Sequence, residues 1–468
     1  MTTILDQPLA DEYLGSFRGR LLSDADPDYD EMRAVYNAMI DRRPQVIARC
    51  RDVADVIAGV RFGRESGLEI AVRGGAHSGA GLGSVDEGLV LDLSEMNGAL
   101  VDPDARLATL EGGALLGDLD HAAHAFGLAT PAGIMSTTGV GGLALGGGHG
   151  YLSRKHGLTI DNLVSADVVL ADGSFVSVSE DEHEDLFWAL RGGGGNFGVV
   201  TRFTLRLHPV TTVVGGPTLW WLDDAADLLL WYREFQPAAP REVYGFFAFL
   251  TVPPAPPFPE HLHNQKMCGI VWCYTGPVED APDAFAPALR VAEPAFHGVG
   301  EMPYPMLQSA FDALYPPGLQ WYWRGDFVRE LPDAAIVRHL EYASRLPTLQ
   351  STMHLYPVDG AVHDVGPSDT AFSYRDANWS QVIVGVDPEP ANAETIRSWT
   401  VDYWEALHPY SAGGAYVNVM MDEGQERIQA TYRDNYDRLA RIKARYDPDN
   451  LFHVNQNIRP DGDGERGG

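Results

Sequence analysis

Along the first two hundred residues the spacing of hydrophobic positions switches repeatedly between the helical and the extended period. RCRDVADVIAGVRFGRESG places Val53, Val56, Ile57 and Val60 on one helical face, with Asp52 set to cap the first turn. LEIAVRGG, GLVLDLS and ARLATLEGG are short runs bounded by turn residues and predict strands. GDLDHAAHAFG returns to the helical period and closes at Gly127. LVSADVVL and FVSVS, separated by the Asp172-Gly173 turn, predict two more strands. Ser179 with Glu182 three residues later reads as a capping box for a helix through Leu186 and Trp188, and VVTRFTLRLHPV alternates as a strand with one buried face.

After Pro209 the pattern changes. Most of the tryptophans and several proline clusters fall between here and about residue 415, among strands such as CGIVWCY and WSQVIVGV and helices such as DAAIVRHLEYASRL. PPAPPFP reads as a surface loop. From Gln425 the residues Ile428, Tyr432, Tyr436, Leu439 and Ile442 predict one long amphipathic helix. The tail LFHVNQNIRP follows, with side-chain amides at Asn455, Gln456 and Asn457, and DGDGERGG is expected to fray.

Composition narrows the class. A chain of 468 residues that is 45% hydrophobic can bury the cores of two or three domains. Sixty-five acidic against 34 basic residues give a net charge of −31, which disfavours nucleic acid and anionic membranes as partners. Three cysteines form no C-x-x-C pair, and MTTILDQPLADEYLGSFRG lacks the basic flank and apolar core of a signal peptide. These features predict a soluble cytoplasmic protein. No heptad pattern marks an interface, so a monomer and a homodimer are both compatible with the chain.

Three loops then stand out: RGGAHS at residues 73–78, GVGGLALGGGHG at 139–150 and RGGGGNFG at 191–198. Glycine at this density is expected where backbone N–H groups approach a ligand, and such donors bind a diphosphate without a lysine patch. A dinucleotide fingerprint tried on Gly139-Val140-Gly141 and Ala144 fails on context, because PAGIMSTT is a poor strand and LGGGHG cannot open a helix. H-E-x-x-H, paired-cysteine, calcium-loop and G-x-S-x-G patterns are missing, which argues against metal hydrolysis and serine acyl transfer; no metal site is expected.

RGGAHS, STTGVGGLALGGGHGYLSRKHGLTIDNL, DLFWALRGGGGNFGVVT and YDPDNLFHVNQNI together resemble the FAD-linked oxidases of the vanillyl-alcohol-oxidase superfamily, and most closely their berberine-bridge-enzyme-like branch. The resemblance spans nearly the whole chain. It implies an α+β fold: a PCMH-type FAD-binding domain with an inserted α/β substrate domain built on an antiparallel sheet. Residues 1–208 and 416–468 would form the first and 209–415 the second. It also implies that His77 carries FAD through the flavin 8α-methyl group. Where many relatives attach the flavin again through cysteine, this chain has Met135, so single attachment is expected. Cofactor contacts are carried over to Arg73, Gly74, Gly75, Ala76 and Ser78; to Met135, Thr138, Gly139, Gly141, Gly142, Gly146, Gly147 and Gly148; to Asn196 and Val199; and to Asn455 and Gln456. His149, Tyr151 and Lys155 follow the central loop and are expected at the cofactor's edge.

Substrate oxidation passes a hydride to flavin while a base removes a proton. The family's YxNY segment is here Tyr416-Val417-Asn418-Val419, without the second tyrosine. Tyr416 is one candidate, and His354 and Tyr356, two apart on a predicted strand and so on one face, are the others. WYW at residues 321–323 offers an aromatic wall, but alternation puts Trp321 and Trp323 on the face opposite Tyr322, so only one side can face a ligand. The expected function is oxidation of a CH–OH or activated C–H group in a medium-sized organic molecule, with molecular oxygen as acceptor and hydrogen peroxide as product. The lost tyrosine favours a tailoring step in secondary metabolism over ordinary sugar oxidation. A flavin dehydrogenase using a quinone or another organic acceptor, and a non-enzymatic flavin carrier, are the alternatives.

Overall fold

The computed structural model describes residues 7–462, so most of the tail expected to fray lies outside the described residues. Most of the early strands form two sheets, and Leu128–Ala129 pairs separately with His208–Pro209. Arg20–Leu22, Val46–Arg49, Leu89–Asp92 and Ile70–Arg73 lie side by side in that order, the last three mutually parallel. Such parallel strands need a crossover, which the helix Val53–Ser66 supplies. Asp52 caps it by accepting from the Ala54 and Asp55 amides, and Gly67 ends it in the left-handed conformation. The second sheet is antiparallel, in the order Ala99–Asp102, Leu107–Glu111, Val199–Arg206, Leu163–Val169 and Phe175–Ser179. Its core residues Leu110, Ala166 and Phe203 pack in one cluster with Ile428, Leu439, Ile442 and Ile458, so the end of the chain completes a core begun near its start.

Residues 212–387 supply an eight-stranded antiparallel sheet whose main path runs Phe296–His297, Thr212–Trp221, Lys266–Tyr274, Val243–Thr251, Thr352–Pro357, Trp379–Asp387, Gln320–Val328, with Gly300–Pro303 also paired to Thr212–Trp221. Alternation divides its faces. Phe247, Phe249, Met353, Leu355 and Ile383 pack against the helices Ala225–Ala238, Asp333–Ala343 and Ala393–Leu407. Tyr244, Phe246, Trp321, Tyr356, Val382 and Val384 point the other way, toward the Gly-rich loops. The architecture is therefore α+β, with one face of a large sheet applied to the loop-bearing half. Arg154 joins the two: its guanidinium meets Asp359 at 2.7 Å, fully withdrawn from solvent, and also donates to the Pro240 and Ala239 carbonyls.

Two local expectations are corrected. The helix predicted from Gln425 onward is two, Gln425–Tyr432 and Tyr436–Tyr446, because Arg433 adopts a positive φ of 48° where it binds Asp376 and covers the Tyr374 ring. The Ser179–Glu182 capping box does not form. Ser179 donates its amide to the Glu182 carbonyl in a turn, and the helix begins later, at Glu184. A short helix, Val140–Leu145, does follow Gly139, but LGGGHG ends that helix and opens none, as its glycines led one to expect. Among the described residues no helix is long and apolar enough to cross a membrane, no cluster of three or more acidic, histidine or cysteine side chains could hold a metal, and all three cysteines are free and buried.

Candidate active site and cofactor cradle

A cavity of about 380 Å³ lies between the loops and the sheet. Its loop wall contains Arg73, Gly74, Gly75, Ala76, His77 and Ser78, then Met135, Thr138, Gly139, Gly141, Gly142 and His149, then Asn196, with Asn455 and Gln456 from the tail. Its sheet wall contains His354 and Tyr356, and Tyr416 stands between the two. Five expected contacts are placed elsewhere: Gly146, Gly147, Gly148, Tyr151 and Val199 do not border the cavity. Lys155 is also remote, donating to the Thr275 carbonyl.

The glycines separate into two kinds. A Cβ on Gly148, whose φ is 75°, would lie 2.1 Å from Thr159 Oγ1; on Gly146, 2.2 Å from Asn418 Oδ1; on Gly147, 2.9 Å from the Phe372 ring. These three are required by neighbouring protein. Gly75 and Gly139 likewise require each other, because a Cβ on either would come within 2.4 Å of the other's backbone nitrogen. Gly142 differs: nothing lies within 4 Å of its absent Cβ, and it lines the cavity from the first turn of its helix. Sequence density cannot distinguish a glycine that clears space for a ligand from one that clears space for the chain.

His77 is delivered by a strained backbone. Ala76 has a φ of 58°, unusual for a residue with a Cβ, and its carbonyl is held by the Tyr36 amide at 3.1 Å. The Tyr36 ring stacks on the imidazole, with centroids 3.9 Å apart and planes within 17°. Burial lowers the His77 pKa to about 4, opposed by a backbone hydrogen bond at Thr137, so the ring is neutral near pH 7. Tyr36 belongs to no motif in the sequence. Only the three-dimensional contact identifies it.

Arg73 brings little free charge, since it is paired with Asp92 at 2.7 Å, but its Nη1 has no partner among the described residues. In the tail the amides mostly serve the fold. Gln456 donates to the Met420 and Met421 carbonyls, Asn455 to that of Gly195, and Asn196 clasps the Gly193 and Gln456 carbonyls while accepting from the Ile458 amide.

Across the cavity, alternation along Gln320–Val328 presents Trp321 and Trp323, and along Thr352–Pro357 it presents Thr352, His354 and Tyr356. Phe311, Tyr315, Val382 and Val384 complete the wall. His354 Nδ1 is in short contact with the Tyr356 hydroxyl, and its Nε2 lies 3.0 Å from Thr352 Oγ1. Enclosure lowers the His354 pKa to about 3 and pushes the Tyr356 phenol well above its usual range. Tyr416 is handled differently. Its oxygen accepts from the Gly148 amide at 2.9 Å and from Asn418 Nδ2 at 2.7 Å, while burial raises its pKa to about 12. Its own proton has no acceptor among the described residues. His149 lies under Tyr416 and Tyr356, at centroid distances of 4.5 and 5.3 Å, with both ring nitrogens buried and unpartnered.

These features fit FAD. A bare Gly142 and an unpaired Arg73 nitrogen provide space and a donor in the loop wall, and His77 and His149 line the same cavity. Comparison with known proteins agrees. A family model described as an FAD binding domain matches residues 44–179, and one described as berberine and berberine like matches residues 415–459. An FAD-linked oxidoreductase of Dictyostelium discoideum is 30% identical over 464 residues, covering 97% of each chain. The crystal structure of 6-hydroxy-D-nicotine oxidase from Arthrobacter nicotinovorans is similar with a TM-score of 0.86 and 26% identity, covering 98% of this chain and 100% of that one. Xylooligosaccharide oxidase from Myceliophthora thermophila, in complex with xylobiose, gives a TM-score of 0.83 at 25% identity, covering 97% and 99%. The chain thus belongs to the berberine-bridge-enzyme-like FAD-linked oxidases of the PCMH-type FAD-binding superfamily, enzymes that pass a hydride from an organic molecule to flavin with oxygen as acceptor.

Proposed function

We propose that this oxidase acts on a neutral, predominantly aromatic molecule bearing a hydroxyl or activated C–H group, and that it holds FAD by a single covalent bond to His77. One observation carries the substrate class: among the described residues no carboxylate and no lysine borders the cavity, and its lone arginine is already paired with Asp92. The opposite wall is Phe311, Tyr315, Trp321, Trp323, Val382 and Val384, with neutral hydroxyl and imidazole groups between them. Such a wall stacks on a flat ring and offers few partners to the many hydroxyls of a sugar. Among relatives, 6-hydroxy-D-nicotine oxidase therefore makes the better guide than xylooligosaccharide oxidase.

The linkage reading is supported by the neutral His77 imidazole, nucleophilic when unprotonated, and by Met135 at the place of a second linking thiol. Bound flavin supplies the two-electron acceptor. Tyr356 takes the substrate proton, since its own hydroxyl already faces the imidazole of His354. Tyr416, with both oxygen lone pairs occupied by N–H donors, keeps its proton and donates it to a ligand atom in the cavity. The division at residues 208 and 415 rests on the sheet drawn wholly from 212–387 and on the tail packing into the first core.

The test is anaerobic mixing of the holoenzyme with neutral hydroxylated aromatics, aromatic alcohols and xylobiose, following loss of oxidised-flavin absorbance. Bleaching by the aromatic compounds is expected. Bleaching by xylobiose alone would overturn the substrate class.

A further inference from the structure

Three cavity-facing side chains of the strand Thr352–Pro357 form an unbroken hydrogen-bonded row whose direction can be deduced. Thr352 Oγ1 is 2.7 Å from the Phe249 carbonyl oxygen on the neighbouring strand and 3.0 Å from His354 Nε2, and His354 Nδ1 meets the Tyr356 hydroxyl. A carbonyl only accepts, so the threonine proton is committed to Phe249. The threonine oxygen must then accept from His354, which puts the hydrogen of the neutral ring on Nε2. Nδ1 is left bare, and Tyr356 donates to it.

We propose that Thr352 is the positioning residue of a proton relay: by fixing His354 as the Nε2–H tautomer it lets Tyr356 pass its proton to Nδ1 as it takes one from the substrate hydroxyl. This rests on the reading of Tyr356 as the group that receives the substrate proton. In the step, the substrate O–H bond breaks and a new Tyr356 O–H bond forms, while the original Tyr356 O–H bond breaks and Nδ1–H forms. The electron pair left on the substrate oxygen becomes the new carbonyl bond as the C–H pair departs with the hydride to bound flavin, the two-electron acceptor of the established activity. Enclosure disfavours the imidazolium, so Nδ1 holds the proton only while the hydride leaves; the ring keeps its Nε2–H bond to Thr352 throughout, and the threonine supports it before and after transfer. The opposite tautomer would point Nδ1–H at Tyr356 and leave the phenol proton without an acceptor.

The experiment uses the full-length holoenzyme, ¹⁵N-labelled at histidine, with the His354 signals assigned by their loss in His354→Gln. Wild type and Thr352→Ser are expected to show protonated Nε2 and bare Nδ1. Thr352→Val, nearly isosteric but without the hydroxyl, is expected to lose that tautomer and to lower kcat at least about tenfold with KM changed less than about twofold. Thr352→Ser should recover most of the rate. Protonated Nδ1 in the wild type, or Thr352→Val with unaltered tautomer and kcat, would overturn the relay. Tyr356→Phe separates the two readings: full turnover in that variant refutes Tyr356 as the proton acceptor, whereas lost turnover with the Nε2–H tautomer retained supports it and leaves Thr352 to be judged by its own variants.

Discussion

The two walls of the cavity are built on different principles. The loop wall comes from residues close together in sequence, within 73–78, 138–142 and 194–196, whose backbones do much of the work and about half of which are glycine. The sheet wall comes from alternate residues, Trp321 and Trp323, Thr352, His354 and Tyr356, Val382 and Val384, on adjacent strands far apart in sequence. The first wall can hold a large invariant cofactor because glycine lets backbone approach it. The second can be rewritten one side chain at a time without disturbing the ladder, which suits substrate choice.

The sharpest way to break this division is to remove one reactive group from each wall. His77→Ala is expected to abolish acid-stable flavin completely: trichloroacetic acid precipitates should be colourless, where wild-type precipitates stay yellow. Yellow His77→Ala precipitate would refute the linkage. Tyr356→Phe should do the reverse, leaving covalent flavin intact while kcat falls by about 10²–10⁴-fold, the range of a lost acid–base group. Stopped-flow flavin reduction measures it. A variant retaining more than about a third of wild-type kcat would remove Tyr356 from the chemistry.

Within the loop wall, the contrast is between Gly142 and Gly148. Gly148→Ala forces a Cβ into Thr159 at a positive φ and should destabilise the protein by about 1–3 kcal/mol in denaturant unfolding, with or without flavin. Gly142→Ala meets open space and sits within a helix, where alanine is favoured by up to about 1 kcal/mol. Its flavin-free form should be no less stable than wild type, while flavin incorporation should fall. Equal losses of stability in both variants would show that Gly142, too, is required by the chain.

How much could be read from residues alone follows the same line. The motifs around His77, Gly139 and Asn196 were legible because a contiguous loop keeps its neighbours in sequence as well as in space. The pairing of His354 with Tyr356, and the common face of Trp321 and Trp323, were legible from alternation. Tyr36, Phe311, Tyr315 and Thr352 were not, because a lone aromatic or hydroxyl residue joins the cavity only through strand order and long-range contact. Gly146 to Gly148 misled for a physical reason: a tight turn, a close approach of protein and a ligand cradle all demand the same missing Cβ. The kink at Arg433 was hidden because a periodic apolar pattern continues across it, and the interruption depends on Asp376 and Tyr374 from elsewhere.

The prediction with the smallest effect on catalysis lies where the two halves meet away from the cavity. Asp120 belongs to the helix Leu116–His124, which packs against the helix Tyr304–Gln308, and its Oδ2 and the Gln308 amide atoms have no hydrogen-bond partner of good geometry among the described residues. Burial raises its pKa to about 7, with the Asp312 charge adding to the rise and Gln308 opposing it, so the fold favours the protonated carboxyl. Because the folded pKa exceeds the unfolded value near 3.8, its stabilising contribution is complete below that value and is lost as pH rises from about 4 to about 7. An amide in its place cannot ionise. Asp120→Asn should therefore match wild type in denaturant unfolding near pH 4, then gain on it as pH rises to about 7, and hold a constant advantage above that. Comparing both proteins at each pH cancels the opposing trend of the enclosed neutral histidines His77, His149 and His354, whose lowered pKa values make the fold less stable as pH falls below about 6.5. An advantage that stays constant from about pH 4 to about pH 8 would mean that Asp120 does not titrate in this window and that the contact between the halves is indifferent to its charge.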